Sequence, residues 1–278
     1  MTGSLYIKDA GHRGPTVGAR LVEVGMQRCR LTSVSFVAGL LIISSTVANA
    51  GEPRALLELF TSQGCSSCPA ADKLLGDLAA DPSVVALSVP IDYWDYLGWK
   101  DTLASSGHSA RQRAYAKVRG DREVYTPQIV VNGATHVLGS DPGAIERAIT
   151  VTDRNTAIMS AQVILSLSGN ALNVNITAPK DHGGGEVWLC PLTRSVPVEI
   201  GRGENHGRTV IYHNVVRHWL KLGDFGGTQS TWNVPLSDFQ SDDIDAVAVM
   251  VQQGTREKPG IVLGAALTPI ARQTSQVR

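Results

Sequence analysis

The feature that most constrains this chain is a cysteine pair set between an apolar strand signal and a helix signal. Ala55-Leu-Leu-Glu-Leu-Phe60 is a short apolar run bounded by a polar turn, and it reads as a buried strand. Gln63-Gly64-Cys65-Ser66-Ser67-Cys68-Pro69 follows directly. From Cys65 to Ala80 the spacing is helical, with Leu74, Leu75 and Leu78 on one face, and Asp81-Pro82 ends it. At a helix N-terminus the free amides and the macrodipole favour a thiolate. The pattern therefore predicts redox chemistry, with Cys65 as the attacking nucleophile and Cys68 as the thiol that resolves the mixed disulfide. Pro69 fits the first turn, where a missing N–H loses little. A static disulfide and half of a zinc site are the competing readings. Zinc needs two more ligands, and the sequence has no second Cys-x-x-Cys and no His-x3-His, so no metal and no cofactor is expected.

The segment 54–150 continues as alternating elements. Val84–Ile91 reads as a second buried strand, and Ser109–Val118 as an amphipathic helix capped by Ser109. Gln128–Val131 and Ala134–Leu138 flank Asn132-Gly133, a type I′ hairpin signal. Asp141-Pro142 opens a last helix, with Asp as cap and Pro at its first position. After about residue 155 the texture changes to short strand-like runs separated by turn signals such as Ser168-Gly-Asn170 and Lys258-Pro-Gly260. The expected fold is an α/β domain over 51–155, a mixed sheet with flanking helices, followed by an all-β sandwich-like domain over 156–278.

Tyr125-Thr126-Pro127-Gln128 adds a second clue. Pro cannot donate to a sheet ladder, so a Thr-Pro step just before a strand makes sense if Pro127 is cis and opens the strand opposite the cysteines. Strand, Cys-x-x-Cys helix, strand, helix, Thr-Pro, hairpin and helix together resemble the thioredoxin superfamily. The fuller pattern is Glu58-Leu-Phe-Thr-Ser-Gln-Gly-Cys65-Ser-Ser-Cys68-Pro, Asp92-Tyr-Trp-Asp95, Ala110-Arg-Gln-Arg-Ala-Tyr-Ala116, Tyr125-Thr-Pro-Gln128, Gly203-Glu-Asn-His-Gly-Arg208 and Tyr212-His-Asn-Val-Val216. That pattern is similar to a family of secreted bacterial proteins, domain of unknown function 1223. The resemblance implies Cys65 and Cys68 as the redox pair, Pro127 as the cis-proline, and Thr126 as a backbone contact for an extended substrate. Gly64 stands where thioredoxin itself carries tryptophan. Glu58, a candidate proton relay, sits one residue further from the cysteine than thioredoxin's buried aspartate.

Other residues carry weaker signals. Asp92 to Trp99 is dense in aromatics near the cysteine end of the sheet, which makes Trp94 a candidate substrate contact, with packing as the competing role. His108 and His136 could join the thiolates around copper or zinc, but each reads more simply as a hydrogen-bonded histidine. Cys190, inside Trp188-Leu-Cys-Pro191, reads as a buried free thiol. Arg202 to Arg217 packs charges, Asn and two His around a strand and its loop, either to recognise a partner or to satisfy a tight turn.

The first 50 residues read as a leader. Met26–Arg30 is basic, Val34–Val47 is apolar, and Ala48-Asn-Ala50 is a small-x-small cleavage pattern, so translation from Met26 and cleavage after Ala50 are expected. This places the protein in the periplasm or outside the cell, with no stable membrane insertion once the leader is removed; an uncleaved N-terminal anchor is the competing reading. Residues 1–50 hold 5 of the 25 basic and 2 of the 25 acidic residues, which leaves the rest near −3 in net charge. No basic stripe suggests a nucleic-acid partner. The sequence therefore points to an exported thiol–disulfide oxidoreductase or redox partner, acting on a protein or small-molecule thiol or disulfide. The alternatives are a non-catalytic periplasmic binding protein that uses its β-rich half, or copper or zinc handling through the two thiols.

Overall fold

The strand before the cysteines is buried along its whole length. β1 (Ala55–Thr61) lies inside a sheet, between β2 (Val84–Pro90) on one side and β3 (Gln128–Val131) on the other. The computed structural model describes residues 52–181 and 183–272, so the leader motifs read from residues 1–50 lie outside the described residues. Helix α1 spans Cys68–Ala79, α2 Ser106–Arg119 and α3 Pro142–Thr152, and β4 (Thr135–Leu138) completes the hairpin with β3. That hairpin turns as expected: Asn132 and Gly133 both take positive φ, and the Gly260 backbone occupies the space a Cβ on Gly133 would need. Asp141 caps α3 as expected, accepting from the Ala144 amide at 2.9 Å. α2 starts earlier than its apolar spacing suggests. Ser105 is its cap, and Ser109 lies inside the helix, where its hydroxyl bonds to Asp92.

The second half overturns the expected fold class. Its strands are β5 (Gln162–Ser168), β6 (Ala171–Thr177), β7 (Gly185–Glu199), β8 (Thr209–Val216), β9 (Leu220–Phe225), β10 (Gln229–Pro235), β11 (Ala246–Thr255) and β12 (Lys258–Pro269). They do not form a separate sandwich behind a helix-flanked thioredoxin-like domain. One nine-stranded sheet, ordered β12-β11-β7-β8-β2-β1-β3-β4 with β9 on β7, runs through both halves. A three-stranded sheet, β10-β6-β5, covers part of it through Val163, Val174 and Ile176 against Val187, Val249 and Val251.

Two local features explain the continuous sheet. β7 is 15 residues long. Its Glu186–Leu192 stretch pairs with β11 and its Leu192–Glu199 stretch with β8, so it passes from one neighbour to the next. Pro191 and Pro197 make this stretch read as two strands in the sequence. β8 then joins the first half by a parallel pairing at Ser88 and Val215, reinforced by Asn214, whose Nδ2 donates to the Ala86 carbonyl at 3.0 Å. At the far end the sheet bends back, and the Val262 amide donates to the Asn132 carbonyl at 2.9 Å.

Alternation along β1 sorts its side chains. Ala55, Leu57 and Leu59 pack against Ala71 and Leu75 of α1 and Ile145 and Ile149 of α3. Leu56 and Phe60 face the other way, into a core shared with Tyr115 of α2, Trp188 and Cys190 of β7, and Met250 of β11. Glu58 lies on this second side and is fully buried. Arg111 reaches it with Nε at 2.5 Å and Nη2 at 3.0 Å, and the Tyr115 hydroxyl donates to it at 2.5 Å. Arg111 also donates to Gln252 of β11 at 2.9 Å and stacks over the Trp219 ring at 4.3 Å. Both Glu58 oxygens and the Arg111 Nε and Nη2 atoms have hydrogen-bond partners, which is the condition for tolerating buried charge. Removing one partner leaves the other charge stranded. Glu58→Ala should cost about 3–5 kcal/mol; urea unfolding measures it, and a loss under 1 kcal/mol would contradict the account.

Candidate functional site: a clamped disulfide

Cys65 and Cys68 are joined in a disulfide with Cα atoms 5.4 Å apart. Cys65 precedes α1 rather than opening it. Its amide donates to the Ser62 carbonyl and its own carbonyl accepts from the Cys68 amide, both at 3.2 Å, so a tight turn delivers the pair to the helix start. Ser67 is the cap residue but makes no side-chain cap bond, and the first turn contains no acidic residue. The sequence suggests an exposed first cysteine, yet Cys65 is 3% exposed and Cys68 0%. Ser66 and Ser67 take the surface instead.

Two remote loops hold this turn. From the β7–β8 connection, buried Asn205 donates through Nδ2 to the Gln63 carbonyl at 2.9 Å and to the Cys65 carbonyl at 2.8 Å. Its neighbour Glu204 accepts from the Ser66 amide at 3.3 Å. From the segment after β2, Asp101 accepts from the Gln63 amide at 2.8 Å, and the Trp99 indole donates to the Gln63 side chain at 2.8 Å. Burial outweighs these bonds and pushes the Asp101 carboxyl up to about 6. Trp94 lies over Gly64, where an added Cβ would stand 3.2 Å from the Trp94 Cβ. A tryptophan from another segment thus covers Gly64.

The other sequence candidates divide. The Thr126–Pro127 peptide is cis, and Thr126 Oγ1 accepts from the Trp94 indole at 2.8 Å. Pro127 is buried near α1: a Cβ added to Gly139 would meet Pro127 Cβ at 3.2 Å and Ala71 Cβ at 3.3 Å. Cys65, Cys68, Thr126, Pro127 and Trp94 therefore share one end of the sheet. Glu58 does not join them. The pleat of β1 aims it away from α1, and Arg111 holds it there, so the proton relay expected of Glu58 is corrected: its position is structural. Trp94 stacks on Tyr96, rings 6.4 Å apart, and Tyr96 is 79% exposed.

The histidines stand apart from the thiols. His136 bonds to the Tyr125 hydroxyl at 2.9 Å and lies 3.2 Å from Asp121. His108 is buried in α2, its Nδ1 2.9 Å from the Pro90 carbonyl. Among the described residues no group of three His, Cys, Asp or Glu side chains is placed to hold a metal ion. Cys190 is free and fully buried in the shared core, and burial raises its thiol far above the usual range. No helix among the described residues is long and apolar enough to cross a membrane. Sequence reasoning passed over Gln63, Asp101 and Asp72, and left the 202–217 cluster undecided. The signal for Asn205 was its place between two turn glycines, Gly203 and Gly207, both at positive φ.

A single long sheet that carries a buried disulfide at a helix start, clamped by loops from both halves, defines the class of scaffold. The chain belongs to the family described as protein of unknown function (DUF1223), which it matches over residues 56–252. It is also similar to a crystal structure of a protein from Agrobacterium tumefaciens, at 30% identity and a TM-score of 0.71, over 82% of this chain and 99% of that one. No curated protein matches it.

His108 makes the region sensitive to acid. Burial holds its imidazole down to about 4, whereas an unfolded histidine titrates near 6.5. The unfolded chain therefore binds the extra proton first as pH falls. The stability this group contributes is present above about pH 6.5 and is lost between there and pH 4, a loss of about 3 kcal/mol. His108→Asn, whose amide can still reach the Pro90 carbonyl, should lack this part of the pH dependence when unfolding is followed from pH 7 to pH 4. An unchanged slope would contradict it.

Proposed function

We propose that the chain is an exported thiol–disulfide exchange protein that works through Cys65 and Cys68. The observation that carries the reading is the cysteine pair at the N-terminus of α1, where no side chain of the helix caps the first amides. The local unit of strand, paired cysteines, helix and nearby Thr126-Pro127 is similar to the dithiol unit of the thioredoxin superfamily, and this likeness supports it. A substrate thiolate attacks Cys65 Sγ, and the S–S electron pair leaves on Cys68 Sγ. A second substrate thiol then displaces Cys65, which leaves the substrate oxidised and the protein reduced; the reverse sequence reduces a substrate disulfide. Thr126 offers backbone groups to an extended substrate, and Trp94 with Tyr96 offers an aromatic wall. The leader sequence supports a periplasmic or secreted location.

One observation favours a second reading. With Cys65 and Cys68 both buried and Asn205 bridging two carbonyls of their turn, the disulfide also suits a static staple for a binding protein. The reduction potential and the Cys65 thiol pKa decide. Redox function requires a potential above about −300 mV and a depressed Cys65 pKa; a lower potential with an ordinary pKa would overturn it. Glu204 gives a directional check. Its carboxylate stands at the Ser66 amide and opposes a Cys65 thiolate, so Glu204→Gln should lower the Cys65 pKa by up to about half a unit and raise the potential. Alkylation rates across pH read the first shift and glutathione equilibration the second. No change in either would remove Glu204 from the account.

A further inference from the structure

Helix α1 carries an acid on its buried face. Its buried residues are Cys68, Ala71, Asp72 and Leu75, and the step of four places Asp72 one turn below Cys68 on the same side. Asp72 is 1% exposed, and neither carboxyl oxygen has a hydrogen-bond partner. Thr61 Oγ1 lies beside it, close enough to favour a carboxylate but out of hydrogen-bonding geometry, and is itself buried and unpartnered. The Tyr212 hydroxyl of β8 is a third buried, unpartnered group in the electrostatic neighbourhood of Asp72. The titratable groups that face Asp72 are few. β1 and β2 present none on this side, β8 presents Tyr212 with His213 against Gly76 further along the helix, and the segment after β2 presents Asp101.

A carboxyl with both oxygens unpartnered, next to an unpartnered hydroxyl, is uncommon in a folded protein, where buried polar groups are paired. An apolar residue at position 72 would pack more cheaply if the acid had no task. Burial, aided by repulsion from Asp101, raises its carboxyl well above the usual range, which favours the neutral acid.

We propose that Asp72 is the acid–base partner of Cys68. It gives its proton to the Cys68 thiolate when the disulfide is opened and takes it back when the disulfide re-forms. The step balances. The attacking sulfur bonds to Cys65 Sγ, the S–S electron pair leaves on Cys68 Sγ, and the Asp72 proton moves to that sulfur and leaves a carboxylate. The Thr61 hydroxyl beside Asp72 can rotate to donate to that carboxylate, since a hydroxyl both donates and accepts. On closure Cys68 returns its proton to Asp72 and attacks Cys65 Sγ, which releases the substrate thiolate. This inference rests on the thiol–disulfide reading and adds the residue that moves the proton.

The test is the rate at which dithiothreitol reduces the oxidised full-length protein, measured from pH 5 to pH 9 and corrected for the thiolate fraction of the reagent. Asp72→Asn, which keeps shape and neutrality but cannot donate a carboxyl proton, should react at least about tenfold more slowly and lose one inflection of the pH profile. A merely structural Asp72 would change the unfolding midpoint but not the profile. The wild-type protein supplies a readout that does not depend on folding of the variant. Its infrared difference spectrum, oxidised minus reduced, should show a buried carboxylic acid that changes state. Equal rates and profiles in the two proteins, or no such carboxylic acid band, overturn the role of Asp72 and leave the exchange reading standing. A folded wild-type protein that no thiol reduces overturns both.

Discussion

The buried pair of Glu58 and Arg111 is the interaction around which the structure is arranged. A carboxylate in the middle of an apolar strand cannot be left alone in a core. Arg111 answers it from α2, Tyr115 adds a hydroxyl, and Gln252 completes the set from β11. These groups come from an early strand, a helix and a late strand, so satisfying one charge fixes three distant stretches against each other. The shared core of Leu56, Phe60, Trp188, Cys190 and Met250 grows around that pair. This is why the late strands extend the early sheet rather than folding apart from it.

The cysteine turn depends on the same arrangement. Its holding groups, Asn205 and Glu204, come from the β7–β8 connection, which reaches α1 because β8 lies beside β2. A first half folded alone would leave the Gln63 and Cys65 carbonyls to water. Clamped, the disulfide is almost fully covered, and a partner must reach Cys65 beside Ser66 and Ser67. In the proposed exchange the clamp sets access, Glu204 acts on charge at the Ser66 amide, and Asp72 supplies the proton.

Much of the local structure was legible in the residues. The apolar run at β1, the Asn132-Gly133 turn and the Asp141-Pro142 helix start each follow from short-range chemistry that tertiary contacts did not override. The start of α2 was misread because Gly107 hides the Ser105 cap behind a weak helix former. The break at Pro197 in β7 was misread because proline ordinarily marks the end of a ladder. The site was legible as a pair but not as an environment. Spacing marks Cys65 and Cys68, yet Asp72 passes as one more polar residue on an amphipathic helix until its burial is known.

The sequence by itself determined the elements and the chemistry they can carry: a cysteine pair between strand and helix, and a Thr-Pro step before the hairpin. These depend on neighbours a few residues apart, and short-range patterns record them. Tertiary structure decided the rest. It chose one continuous sheet over two domains, turned Glu58 away from the cysteines, brought Asn205 onto them from 140 residues away, and buried Asp72 beneath them. Each of these outcomes depends on which distant groups must be satisfied together in the same core, and no local pattern carries that information.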